Sequence, residues 1–154
     1  LFSFLILEGD QAGLSWTTIL NRRNGYRDAF SNFDVLVISK YTKNHIEKLV
    51  QNKEIIRNKL KINSVINNAK KFIEIQKQFG SFDEYVWSFV NHKTIQNKFK
   101  KYSDLPSHTD ISETLSCDLK KHGFTFVGPT ICYAFMQAVG MVNDHTVDCF
   151  KFLK

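Results

Sequence analysis

LVQNKEIIRNKLK, residues 49–61, decides the fold. One amphipathic segment ends in it and a second begins, with only a few residues between them. Upstream, Thr42 can cap KNHIEKLVQN, where Ile46, Leu49 and Val50 recur at helical spacing. Downstream, Ile62, Val65, Ile66, Ala69, Phe72 and Ile73 form one face of a helix over roughly 58–79, and Lys59, Asn63, Asn67, Lys70 and Glu74 form the other. The stretch therefore predicts a helix–hairpin–helix over about 42–79. Such a tight connection can turn its amides, and the N-terminus of the next helix, toward a phosphate. Arg57, Lys59 and Lys61 add positive charge close by. An ordinary antiparallel helix connection has the same pattern, and these residues alone leave both readings open.

The rest of the chain reads as helical too. Residues 1–8 form an apolar helix end, and Ser15 can cap a helix over 16–23 that GY at 25–26 breaks. Ser81 can cap FDEYVWSFV, with Glu84 at the capping-box position. NHKTIQNKFKKYSDLPSHTD, residues 91–110, has weak periodicity and is predicted mostly as loop. Asp110 or Ser112 can cap a helix with Leu115 and Leu119 that Gly123 closes. Pro129 suits the first turn of a last helix, closed near Gly140. FTFV could be a short strand but has no evident partner. The expectation is one all-α domain over 1–154, with no repeat and no linker.

Composition narrows the classes. With 43% hydrophobic residues and 14 Phe, the 154-residue chain can bury a full core and is not disordered. A formal charge of +6 suits a polyanionic partner such as nucleic acid, although many basic proteins bind none. Three cysteines in a chain this long suggest no disulfide framework, and a reducing compartment fits better. No apolar run is long enough to span a bilayer, so no membrane partner is expected. LFSFLILEG lacks the basic start and cleavage site of a signal peptide.

Two further stretches could carry chemistry. In LEGDQAGLSW, residues 7–16, Glu8 ends an apolar run and Trp16 follows a flexible polar turn. A carboxylate and an indole together could receive a positively charged heteroaromatic ring. Equally, Glu8 could lie on the surface at a helix end and Trp16 in the core. His145 and Cys149 are four apart, which on a helix puts both on one face, where they could share a metal. Two ligands do not complete a structural zinc site, and no other Cys or His has convincing spacing.

LEGDQAGLSW, EIIRNKLKI, VWSFVNH and FVGPTICYAFMQAVGMVNDH resemble signatures of the 3-methyladenine DNA glycosylase I family, in the family's order and over residues 1 to about 149. The resemblance implies a helix–hairpin–helix DNA glycosylase that hydrolyses the N-glycosidic bond of N3-methyladenine in alkylated double-stranded DNA and so starts base excision repair. It places the adenine-recognising Glu on Glu8, the pocket Trp on Trp16, and on Leu14 a loop residue that approaches the space left in the DNA. It implies a structural zinc site whose His–x3–Cys pair falls on His145 and Cys149. The other two ligands would lie before Leu1, so the chain is expected to be N-terminally truncated. A cytoplasmic monomer working at the nucleoid of a bacterium is implied as well. Two departures stand out. Glu54 replaces a common hairpin Gly, with strain expected if the site needs positive φ, and Ala134 replaces a Ser near the pocket. The alternatives are a non-catalytic helical DNA-binding domain or an inactive remnant of such an enzyme.

Overall fold

A computed structural model describes residues 1–152. Its centre is the long helix predicted after the hairpin. Helix α6, Lys59–Phe79, starts at Asn58, whose Oδ1 accepts the amides of Leu60 and Lys61. It is more deeply buried than its sequence pattern predicts. Besides the apolar stripe, Lys61, Ser64 and Asn68 are buried, while Ile73 is only half-buried. Each buried polar side chain bonds to backbone, which is what keeps its burial from being destabilising.

Around α6 pack α1 (Phe2–Gln11), α4 (Val35–Ile38), α5 (Lys43–Gln51) and α7 (Phe82–Ser88). A second layer comes from α8 (Asp110–Lys121) and α9 (Pro129–Ala138), which lie along each other, with α9 also against α1. Short helices α2 (Trp16–Leu20) and α3 (Arg23–Ala29) complete the N-terminal part. The core is aromatic-rich: Phe72 stacks on Phe82 at 4.1 Å between ring centroids and meets Phe2 edge-on at 5.3 Å.

Several caps act as expected. Thr42 begins α5 in a capping box closed by His45, Ser15 accepts the Thr18 amide, and Pro129 occupies the first turn of α9. Ser81 accepts the Glu84 amide, but the Glu84 carboxylate turns away toward His92, 3.5 Å off. Helix α8 is capped by Thr109 rather than by Asp110 or Ser112.

The other differences have physical reasons. Gly25 and Tyr26 do not break a helix; they lie inside α3. A Cβ on Gly25 would stand 2.5 Å from the Glu54 carbonyl oxygen, so the glycine is there to let the hairpin approach. FTFV forms no strand. Instead Asn68 grips Thr125 through both of its backbone groups, accepting the amide at 2.9 Å and donating to the carbonyl at 2.8 Å. Among the described residues the strands that do form are β1 (Ile95–Gln96) and β2 (Val142–Asn143), a parallel pair with Ile95 opposite Val142. They pin the 91–109 segment to the chain that follows α9. The fold is otherwise helical.

Candidate active site

Glu8 lies on the last turns of α1, an apolar helix that buries Leu5, Ile6 and Leu7 beside it. Only 4% of Glu8 is exposed, and among the described residues nothing donates a hydrogen bond to its carboxylate. Burial alone therefore pushes its pKa up to about 7. Trp16 opens α2 and is 42% exposed, so one side of the indole is available. Both residues border a cavity of about 960 Å³ whose other walls include Ala134, Gln137, Asp144, Tyr102 and Leu105. A smaller cavity of about 640 Å³ shares Glu8 and Trp16 and extends past Phe4 and Phe33 to Arg23 and Arg27. An apolar space with one unpartnered carboxylate and one open aromatic face is a receptor for a flat cation.

The turn between the two residues is tightly held. The Leu14 amide donates to Gln11 O at 2.7 Å, and the Gln11 side chain donates back to Leu14 O at 2.8 Å. Leu14 is half-buried against the core, while Gly13, at φ 79°, allows the reversal. Asp10, two residues beyond Glu8, is only 3% exposed and points into the protein, not the cavity lining. Burial raises its pKa to about 6, and a hydrogen bond from Tyr26 and the Lys61 charge pull against that rise.

Asp144 is a wall residue that sequence reasoning did not single out. Its carboxylate accepts from Tyr133 Oη at 2.5 Å and from Gln137 Nε2 and Asn97 Nδ2, each at 2.7 Å. Three donors take up three of its roughly four acceptor positions, so it braces the cavity rather than serving as a ready base. The signal was faint, because Asn97 is remote in sequence and comes near only through the β1–β2 pairing.

Of the predicted phosphate-facing cations, Arg57 and Lys59 are exposed beside the hairpin. Lys61 is not at the surface: it is 7% exposed, and its Nζ donates to Asp10 O at 2.7 Å and Ala12 O at 2.9 Å. The reason is helical phase, since Lys61 shares the inward face with Ser64, Val65 and Asn68. The strain expected at Glu54 is absent, because its φ is not positive. Its amide donates to Asn52 Oδ1 at 2.9 Å in a local turn that any residue can complete.

His145 and Cys149 come together, with Sγ 3.5 Å from Nδ1. They do so on a turn after β2, not on a helix, with Cys149 N donating to Thr146 O. Both border the larger cavity. Among the described residues no group of three His, Cys, Asp or Glu could hold a metal ion. This pair supplies two ligands, half of what a tetrahedral zinc site needs, and does not by itself fit one.

Comparison with known proteins places these features in context. The family model for methyladenine glycosylase matches residues 1–152. The chain is 46% identical to the DNA-3-methyladenine glycosylase of Haemophilus influenzae over 149 residues, covering 97% of this chain and 80% of that protein. It is also 46% identical over 149 residues to DNA-3-methyladenine glycosylase 1 of Escherichia coli, with the same coverage. The structure of 3-methyladenine DNA glycosylase I from Staphylococcus aureus, described for its recognition of 3-methyladenine, superposes with a TM-score of 0.96 at 34% identity. That alignment covers 99% of this chain and 81% of the other.

Proposed function

The chain belongs to the methyladenine glycosylase family, and from that premise we propose that it hydrolyses the N-glycosidic bond of N3-methyladenine in alkylated double-stranded DNA. The observation that carries the reading is Glu8: a buried carboxylate, without a hydrogen-bond donor among the described residues, that opens, beside Trp16, onto a cavity. A domain that only bound the DNA backbone would have no use for such a group.

The chemistry follows from charge. A base inside a duplex cannot be handled on all sides, so the nucleotide is flipped into the cavity. N3-methylation makes the ring cationic and a better leaving group. Glu8 accepts hydrogen bonds from the adenine amino edge, and Trp16 stacks on the ring. A cation gains more from both than neutral adenine does. When the bond between C1′ and the ring nitrogen breaks, its electron pair stays with the base and cancels the ring charge. Water adds at C1′ and gives its proton to solvent. Among the described residues at the cavity, Glu8 is engaged by the base and Asp144 is bonded to three donors, so the lability of the cationic base provides the drive.

The hairpin holds the duplex through its amides with Arg57 and Lys59, and the turn that carries Leu14 approaches the space the flipped base leaves. One protein copy suffices for this reading. Zinc enters only as a partner of His145 and Cys149 that would need two more ligands, and no step depends on it. No helix among the described residues is long and apolar enough to cross a membrane.

The test is release of free base from methylated duplex DNA. This chain is expected to liberate 3-methyladenine and no 7-methylguanine, and the Glu8→Ala variant to liberate neither. Equal release by that variant would remove Glu8 from the mechanism.

A further inference from the structure

The turn between Glu8 and Trp16 is fastened to the hairpin by buried groups that touch neither the cavity nor the surface. Lys61 lies in the first turn of α6, directly after the hairpin. Its ammonium donates to the carbonyls of Asp10 and Ala12. These belong to the C-terminal end of α1 and the turn beyond it, where carbonyls lack helical partners and the helix dipole favours a cation. A second tie runs through α3. Tyr26 is 1% exposed, and its hydroxyl accepts the Ile56 amide of the hairpin at 3.3 Å and interacts electrostatically with the Asp10 carboxylate. Gly25, next to Tyr26, is what allows the hairpin so close.

Two carbonyls at a helix end could simply face water. Burying an ammonium, a carboxylate and a phenol to hold them is costly unless the location of that turn matters. What the turn carries is Leu14 and the entry to Trp16. What the other end of each tie carries is the backbone of the hairpin, at Ile56, and the first turn of α6, beside exposed Lys59.

We propose that Lys61, Asp10 and Tyr26 form a positioning cluster that keeps the turn bearing Leu14 and Trp16 in register with the DNA-facing hairpin. The inference rests on the reading that the chain excises a base from DNA. None of the three residues touches the base. They fix where the pocket stands relative to the phosphates the hairpin holds.

Such a role separates chemistry from grip. The full chain would be compared with Lys61→Met, Lys61→Arg and Tyr26→Phe at a temperature where melting curves show each fully folded. Two quantities are read: single-turnover release of 3-methyladenine, and Kd for a duplex containing a stable abasic-site analogue. Lys61→Met and Tyr26→Phe are expected to slow release roughly 10- to 100-fold while Kd moves by less than about threefold, because misplacement affects reactive geometry more than binding. Lys61→Arg, which can donate to the same carbonyls, is expected to recover part of the rate. If Lys61→Met does not fold, Tyr26→Phe, which removes a single oxygen, decides. Unchanged release in folded variants overturns the cluster, and so does a loss of rate matched by an equal loss of binding. A wild-type chain that releases no 3-methyladenine fails earlier, at the functional reading, and takes this inference with it.

Discussion

Glu8 combines two properties that ordinarily exclude each other. It is 4% exposed, and among the described residues no group donates to its carboxylate. The ionised form is therefore penalised in the folded protein. The direction of the linkage follows from its pKa of about 7 in the fold against an ordinary 4.5. Below 4.5 the carboxyl is protonated in both states and contributes nothing. As pH rises from there to about 7, the unfolded chain releases its proton while the folded one keeps it, so stability falls, then levels off. Glu8→Gln should accordingly raise stability at about pH 8 by up to ~3 kcal/mol and have little effect at about pH 4, as read by chemical denaturation. On the proposed reading the same ionisation governs activity with the opposite sign. Only the carboxylate attracts a cationic ring, so kcat/KM should climb as pH rises through about 7. That rise should vanish in Glu8→Gln, whose residual release should be slow at every pH. A variant that gained no stability while losing release would mean that the substrate-free carboxylate has a partner.

The elements show why some of this was legible in the sequence and some was not. Caps and hydrophobic period are local, so Ser15, Thr42, Ser81 and Pro129 could be read directly, as could most of α6. Gly25 was misread because a glycine's reason can lie far along the chain. In isolation it signals a break, whereas here it admits Glu54, 29 residues away in sequence. Lys61 was misread for a related reason: a lysine in a basic run looks solvated, and only the packing of α1 against α6 reveals carbonyls waiting for it. Glu8 and Trp16 could be named, but residues alone could not say whether they faced a cavity, because that depends on α9 and the 91–109 segment. The Gly25 account is checked by Gly25→Ala. Helix propensity alone favours alanine by about 1 kcal/mol. The added methyl would meet the Glu54 backbone, so the net result should be a loss of about 1–3 kcal/mol in denaturant unfolding, as for overpacking elsewhere. A stabilised variant would return Gly25 to the status of an ordinary helical glycine.

At the scale of the whole molecule, the charge of +6 matters through where it sits. Arg57 and Lys59 are exposed beside the hairpin, and Lys93, Lys98, Lys100 and Lys101 are exposed along the segment that also supplies Tyr102 and Leu105 to the cavity. The exposed cations thus come from two separate parts of the chain. Lys61, close to Lys59 in sequence, is satisfied by carbonyls inside the protein. Salt dependence distinguishes the two kinds of cation, because each phosphate neutralised on binding releases condensed counterions. Removing one phosphate contact reduces the slope of log K against log salt by about 0.9 for duplex DNA. Arg57→Ala and Lys59→Ala are each expected to flatten the slope by about that amount and to weaken binding alike for methylated and unmodified duplex. Lys61→Met removes the same formal charge and should leave the slope where it was, although release of 3-methyladenine falls. A flattened slope for Lys61→Met would put its ammonium on a phosphate in the complex, which requires the ties to Asp10 and Ala12 to open when DNA binds. An unchanged slope for Arg57→Ala and Lys59→Ala would move the duplex off the hairpin and toward the lysines of the 91–109 segment.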